Sequence, residues 1–188
     1  MVVVIGASWG GLYALMDLLG ALPTDFGAPI VVVQHRAPDV DDSRLARVLG
    51  RYSALPVSDA EDKQVIEPGH VYLAPADYHL MIDGDHFALT LDEFVQYSRP
   101  SIDVLFDSAA EGCHGNVVAV LLTGLGKDGA KGLAAVHDSG GVTIVQEPES
   151  AMQGTMPQAG IDAGGAGEIL PLDEIAPRLT ELCGVAAA

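Results

Sequence analysis

Apolar residues along this chain fall into two rhythms, unbroken β-branched runs and leucines at helical spacing. Val2-Val3-Val4-Ile5 is a run of the first kind and stops at Gly6-Ala7-Ser8-Trp9-Gly10-Gly11. Runs without a polar face suit strands buried on both sides, as in parallel sheets. Leu12, Leu15, Leu18, Leu19 and Leu22 then recur at helical spacing before Pro23. Ile30-Val31-Val32-Val33-Gln34 predicts a second buried strand leading into His35. An amphipathic helix is expected from Asp42 to Tyr52, with Leu45, Val48 and Leu49 on one face.

The middle has a different texture. Val71–Ala74, His79–Ile82 and Phe87–Leu91 are short extended pieces, and Asp83-Gly84-Asp85 joins the last two as a hairpin signal. Arg99-Pro100-Ser101 reads as a helix start, with Ser101 as cap and Ile102, Leu105 and Phe106 on the buried stripe. Val117–Leu122 predicts a third buried strand, Leu133–Val136 lies in a helix, and Val142–Val145 and Glu168–Leu170 are later strands. A last helix runs from about Asp173 to Cys183, with a fraying Val-Ala-Ala-Ala tail. Alternation of strands and helices implies a doubly wound α/β fold. The expectation is one domain over residues 1–188: a mostly parallel sheet, helices on both faces, and a small antiparallel hairpin as insertion or edge.

Composition narrows the function classes. Apolar residues make up 49% and charged ones 19%, which excludes disorder. A net charge of −17 argues against nucleic acid and anionic membrane surfaces, both of which reward Lys and Arg. No apolar run approaches the roughly 18 residues of a membrane span, and Met1–Ile5 has no basic region of a signal peptide. Cys113 and Cys183 fit no zinc or redox spacing, so reduced thiols in a cytoplasmic protein are expected.

In an open α/β sheet, ligands bind beyond the carboxyl ends of the strands. That rule selects the segments after Ile5, Gln34 and Leu122, which carry Ser8, His35 and Asp128. Ser8 lies in Gly6-x-Ser8-x-Gly10 between a strand and a helix, the context of a nucleophile elbow; a tight glycine turn or a mononucleotide phosphate loop would also use these glycines. The dinucleotide spacing G-x-G-x-x-G is absent, and so is a phosphate-binding lysine. A serine needs a neighbouring base, and an imidazole is suited to the task. His35 directly follows a buried strand, whereas His70, His79, His86, His114 and His137 fall in loops, the hairpin region or helix surfaces. His35 could equally be a satisfied strand-end histidine. Asp128, in a glycine-rich loop before a helix, would fix the imidazole tautomer, or would simply cap that helix. The order Ser…His…Asp differs from that of α/β-hydrolases, but a triad is a geometry and not an order.

These residues carry a resemblance. The blocks Gly6-Ala7-Ser8-Trp9-Gly10-Gly11, Val32-Val33-Gln34-His35, Arg99-Pro100-Ser101-Ile102-Asp103-Val104-Leu105-Phe106 and Leu122-Thr123-Gly124-Leu125-Gly126-Lys127-Asp128-Gly129-Ala130 are similar, in order, to CheB-type protein-glutamate methylesterases. Pro68–Pro75, Gly141–Gln146 and Met156-Pro157 continue the similarity over essentially the whole chain. The resemblance implies a serine hydrolase that removes methyl groups from glutamate γ-methyl esters on chemoreceptor helices, with glutamine deamidation in some members. It implies Ser8 as nucleophile, His35 as base, Asp128 as third member, and backbone N–H groups of Trp9 and Leu125 as oxyanion donors. Trp9 and Leu125 stand where Thr and Met are commoner, and Gly154-Thr155-Met156-Pro157 departs from the usual Gly-Met-Pro.

Arg99, Ser101 and Met156 are cleft residues by family position, although the first and second also make an ordinary capped helix start and Met156 could merely pack. No metal or organic cofactor is implied. The partners implied are methylated receptor helices, with no nucleic acid and no membrane insertion. Typical members begin with a receiver domain. This chain starts at the first catalytic strand, so the expectation is a stand-alone unit with a receiver or regulator acting in trans, or a piece of a longer protein. Rival readings are an esterase or amidase with another substrate, for which Trp9 is the motive, and a non-catalytic module on the same fold. Arg36 and Arg99 are the basic groups expected near the cleft.

Overall fold

The computed structural model describes residues 1–36 and 42–184. The expected fraying of the last four residues lies outside that range. Seven parallel strands form one sheet: β1 (Val2–Ala7), β2 (Ile30–Gln34), β3 (Val57–Asp59), β4 (Val71–Leu73), β7 (Val117–Leu121), β8 (Val142–Gln146) and β9 (Glu168–Leu170). Their order across the sheet is β3-β4-β2-β1-β7-β8-β9. Between β4 and β7 the chain makes the hairpin β5 (His79–Asp83) and β6 (His86–Thr90), a separate two-stranded sheet and not an edge of the large one. The doubly wound expectation holds, and every pairing in the large sheet is parallel.

Helices cover both faces because the strands are apolar on both. Val3, Ile5 and Ala7 of β1 face a core shared with α1 (Gly11–Ala21), α2 (Asp42–Leu49) and α6 (Leu172–Cys183). Val2 and Val4 point the other way, toward α3 (Ile102–Cys113), α4 (Ala130–Asp138), α5 (Thr155–Asp162) and the hairpin. Ser101 caps α3 as expected, its hydroxyl accepting from the Val104 N–H at 3.4 Å. The helix expected to reach Tyr52 ends at Leu49. Two elements lacked a readable pattern. β3 is a three-residue, half-buried strand held by β4, and α5 is an eight-residue helix with Pro157 in its first turn.

The topology fixes where a site can form. The chain runs from β1 outward to one edge, then returns to β7 on the opposite side of β1. The crevice where the direction reverses lies above the carboxyl ends of β2, β1 and β7. At this place α3 crosses β1 closely. A Cβ on Gly6 would stand 2.3 Å from the Ile102 Cγ2. Gly6→Ala is therefore expected to push α3 off the sheet and cost about 1–3 kcal/mol, read as a fall in thermal midpoint. An unchanged midpoint would show that α3 can move aside freely.

Candidate active site

Ladder hydrogen bonds that continue past the strand ends set the positions of the first two candidate residues. The Ser8 N–H donates to the Thr123 carbonyl at 3.0 Å, tying the end of β1 to the loop after β7. The His35 N–H donates to the Ala7 carbonyl at 3.0 Å, tying the end of β2 to β1. Ser8 and His35 thus stand side by side above neighbouring strands. The elbow after Ser8 turns through Gly10, whose φ of 82° is costly for a residue with a Cβ. The opposing loop comes equally close, since a Cβ on Gly124 would lie 2.8 Å from the Ser8 Cβ and 2.5 Å from the Met156 Cε.

The side chains form one hydrogen-bonded row. The Ser8 Oγ is 3.2 Å from the His35 Nδ1, and the His35 Nε2 is 2.7 Å from the Asp128 Oδ2. A carboxylate only accepts, so Nε2–H donates to it and Nδ1 is left as the acceptor facing the serine hydroxyl. Asp128 is buried and receives three further bonds, all from residues 101–103. Its Oδ1 accepts from the Ser101 hydroxyl at 2.8 Å and the Asp103 N–H at 3.0 Å, and its Oδ2 accepts from the Ile102 N–H at 2.8 Å.

The carboxylate therefore sits at the N-terminus of α3, where backbone donors and the helix dipole favour a negative charge. Capping of the helix after its own loop is left to Gly129, which makes no side-chain bond. Burial pushes the Asp128 carboxyl up, but the hydrogen bond from His35 and the Ile102 and Asp103 N–H groups outweigh it and hold it below the ordinary aspartate range. The neighbouring Asp103 goes the other way. Burial raises it, an N–H bond from Gly132 opposes the rise, and the Asp128 charge adds to it.

A cleft of about 460 Å³ opens over Ser8 and His35, lined also by Trp9, Gly10, Leu12, Tyr13, Gln34, Leu125 and Met152. Trp9 is 64% exposed and Leu125 52%, so both side chains stand at the rim. Their backbone N–H groups have no hydrogen-bond partner among the described residues. The structure places the other family-position residues elsewhere. Ser101 is fully buried and faces Asp128, so it supports the row from behind and does not line the cleft. Met156 is also fully buried, packed under Gly124.

Arg99 binds Asp77 at 2.7 Å and the Leu91 and Asp92 carbonyls at 3.0 Å each, with Phe94 under its guanidinium. It holds the loop before α3 and is not among the cleft-lining residues. Arg36 is likewise held, by Asp59 and the Ala74 carbonyl, so the two basic groups expected near the cleft serve internal contacts.

Three contributors escaped the sequence reading. Gln34 donates to the Ser8 and His35 carbonyls. Thr123 donates its hydroxyl to the Trp9 carbonyl at 3.0 Å. Buried His79 accepts from the Ser101 N–H at 3.2 Å, with its Nε2 on the Glu93 carbonyl at 3.0 Å. A polar residue closing a run of apolar strand positions, as Gln34 does, was the available signal for the first.

Comparison with known proteins agrees with this architecture. A family model described as CheB methylesterase matches residues 3–179. A protein-glutamate methylesterase/protein-glutamine glutaminase of Cupriavidus metallidurans is 45% identical over 186 residues, covering 97% of this chain and 54% of that protein. A protein of Leptospira interrogans, named provisionally for the same two activities, is 42% identical over 181 residues, covering 96% of this chain and 93% of its own length. The crystal structure of the Thermotoga maritima CheB methylesterase catalytic domain superposes with a TM-score of 0.92 at 40% identity, covering 96% of this chain and 97% of that one.

Asp128 also predicts a pH dependence. Its folded pKa lies below its unfolded one, so its contribution to stability is complete above the ordinary aspartate range and is lost as pH falls through that range and the depressed value. Asp128→Asn is expected to cost stability near pH 7 and progressively less toward about pH 3, measured as urea midpoints of both proteins. A pH-independent difference would contradict the burial of a charged Asp128.

Proposed function

The chain belongs to the CheB methylesterase family, and on that premise we propose that it hydrolyses glutamate γ-methyl esters on methyl-accepting receptor helices through a Ser8–His35–Asp128 triad. The observation that carries this reading is the continuous row from the Ser8 Oγ through His35 to a buried Asp128, with the cleft opening over Ser8 and His35 and the carboxylate closed off behind them. The Ser8 Oγ attacks the ester carbonyl while the His35 Nδ1 takes its proton. Asp128, on the other ring nitrogen, holds the tautomer and stabilises the imidazolium. Negative charge develops on the former carbonyl oxygen, and in this reading the N–H groups of Trp9 and Leu125, unpartnered among the described residues, serve as its donors.

Collapse of the tetrahedral intermediate breaks the C–O bond, and the imidazolium Nδ1–H protonates the departing methoxide, which leaves as methanol. Water then attacks the acyl-enzyme and gives one proton to His35. Collapse breaks the bond to the Ser8 Oγ, which takes that proton back, and the product acid leaves as carboxylate after losing its other proton to solvent. The same atoms would hydrolyse a glutamine side-chain amide, with ammonia in place of methanol, as the double names of the relatives suggest. In this reading residues 1–188 act as one catalytic domain in the cytoplasm. Among the described residues no helix is long and apolar enough to cross a membrane.

Methanol release from a methylated receptor fragment tests the proposal. Ser8→Ala should lose on the order of 10⁴-fold or more in kcat, by analogy with other serine hydrolases. Release by Ser8→Ala at the wild-type rate would refute it.

A further inference from the structure

We infer that Gln34 is a positioning residue that aims the oxyanion donor and joins it to the catalytic base, an inference that rests on the reading of Ser8 as nucleophile. The Gln34 Nε2 donates to the Ser8 carbonyl at 2.9 Å and to the His35 carbonyl at 3.0 Å. One NH₂ group thus bridges the main chains of the two residues whose side chains exchange the proton. Two carbonyl oxygens can be satisfied together only by a group with two donors, which fixes the orientation of the amide. Among the described residues its Oε1 is buried without a hydrogen-bond partner. It is packed against Gly11, where a Cβ would stand 2.1 Å from it. The flipped amide would set that oxygen against the two carbonyls, which makes the arrangement one-sided.

The consequence for catalysis follows from peptide planarity. The Ser8 carbonyl and the Trp9 N–H belong to the same peptide unit, which is trans. In a trans unit the N–H points opposite to the carbonyl. The Ser8 carbonyl is held at one end by Gln34 and by the Gly11 N–H, at 2.9 Å from each. Holding it there turns the Trp9 N–H away from the Gln34 amide and the Gly11 N–H, the direction that the proposed oxyanion role requires. Thr123 holds the next unit, through the Trp9 carbonyl, so the elbow is fixed from both neighbouring strands. Without the Gln34 bridge the Ser8–Trp9 peptide keeps one of two restraints, and His35 loses its link to it. Gln34 itself carries no proton in the reaction.

The test uses two variants of nearly unchanged volume, with a glutamate γ-methyl ester peptide as substrate and methanol release as readout. Gln34→Met removes both donors. It should lower kcat by on the order of 10²-fold while KM stays within about threefold, because the lost alignment matters most in the transition state. Gln34→Glu at neutral pH sets a carboxylate against two carbonyls and should be slower still. Its rate relative to wild type at each pH should rise as pH falls into the carboxyl range, because the protonated introduced group regains one donor.

Wild-type kcat in Gln34→Met, or a raised KM with kcat unchanged, overturns the inference. So does a Gln34→Glu ratio that is flat with pH, which also decides the matter if Gln34→Met does not fold. Ser8→Ala, run alongside, separates the two levels. An inactive Ser8→Ala with a fully active Gln34→Met removes only this inference, whereas an active Ser8→Ala removes the functional reading beneath it as well.

Discussion

The negative charge of Asp128, held out of water at the N-terminus of α3, is the constraint around which the site is arranged. An ionised carboxylate is costly to bury unless its lone pairs are filled. Here four donors fill them: the His35 ring, the Ser101 hydroxyl and two backbone N–H groups. Three of the four come from the start of one helix, so that helix must begin at one place relative to the loop after β7. The close crossing of α3 over Gly6 and the cap at Ser101 serve the same placement. Behind them, His79 fixes the Ser101 backbone from the hairpin sheet. The inserted hairpin is thereby connected to the Ser8–His35–Asp128 hydrogen-bonded row although none of its residues lines the cleft.

A second arrangement supports Ser8. The end of β1 is bonded on one side to β2, through Gln34 and the His35 N–H, and on the other to the loop after β7, through Thr123. The switch of strand order makes this double support available, because only at that point do loops on both sides of one strand lead away from it. Gly124 lets the β7 loop approach the serine, and buried Met156 of α5 packs beneath that glycine. The departures at Trp9 and Leu125 change side chains at the rim while leaving backbone donors in place. In the proposed reading they bear on which substrates enter, and much less on the chemistry once a carbonyl is bound.

Parts of this were legible before any coordinates. The β-branched runs at Val2–Ile5, Ile30–Val33 and Val117–Leu121 announced buried parallel strands, and the strand-end rule then picked out Ser8, His35 and Asp128. β3 was invisible because three half-buried residues carry no periodicity and exist as a strand only through pairing with β4. α5 was obscured by Pro157, which is tolerated in a first turn but reads as a break in a pattern. Arg36 and Arg99 looked like surface charges beside a cleft. In the fold, each lies beside an aspartate and a free carbonyl, and the nearest partners hold them.

What the sequence alone determined is the kind of residue at each strand end and the alternation that brings those ends to one edge, since burial periodicity and strand chemistry are local properties. Tertiary structure decided the directions. It assigned the α3 N-terminus to Asp128, turned Ser101 and Met156 inward, and gave Gln34 two carbonyls to hold. The physical reason is that a hydrogen bond depends on distance and angle between groups far apart in the chain. Asp128 and the N–H of Ile102 meet only because β1 carries α3 and the β7 loop to the same end of the sheet.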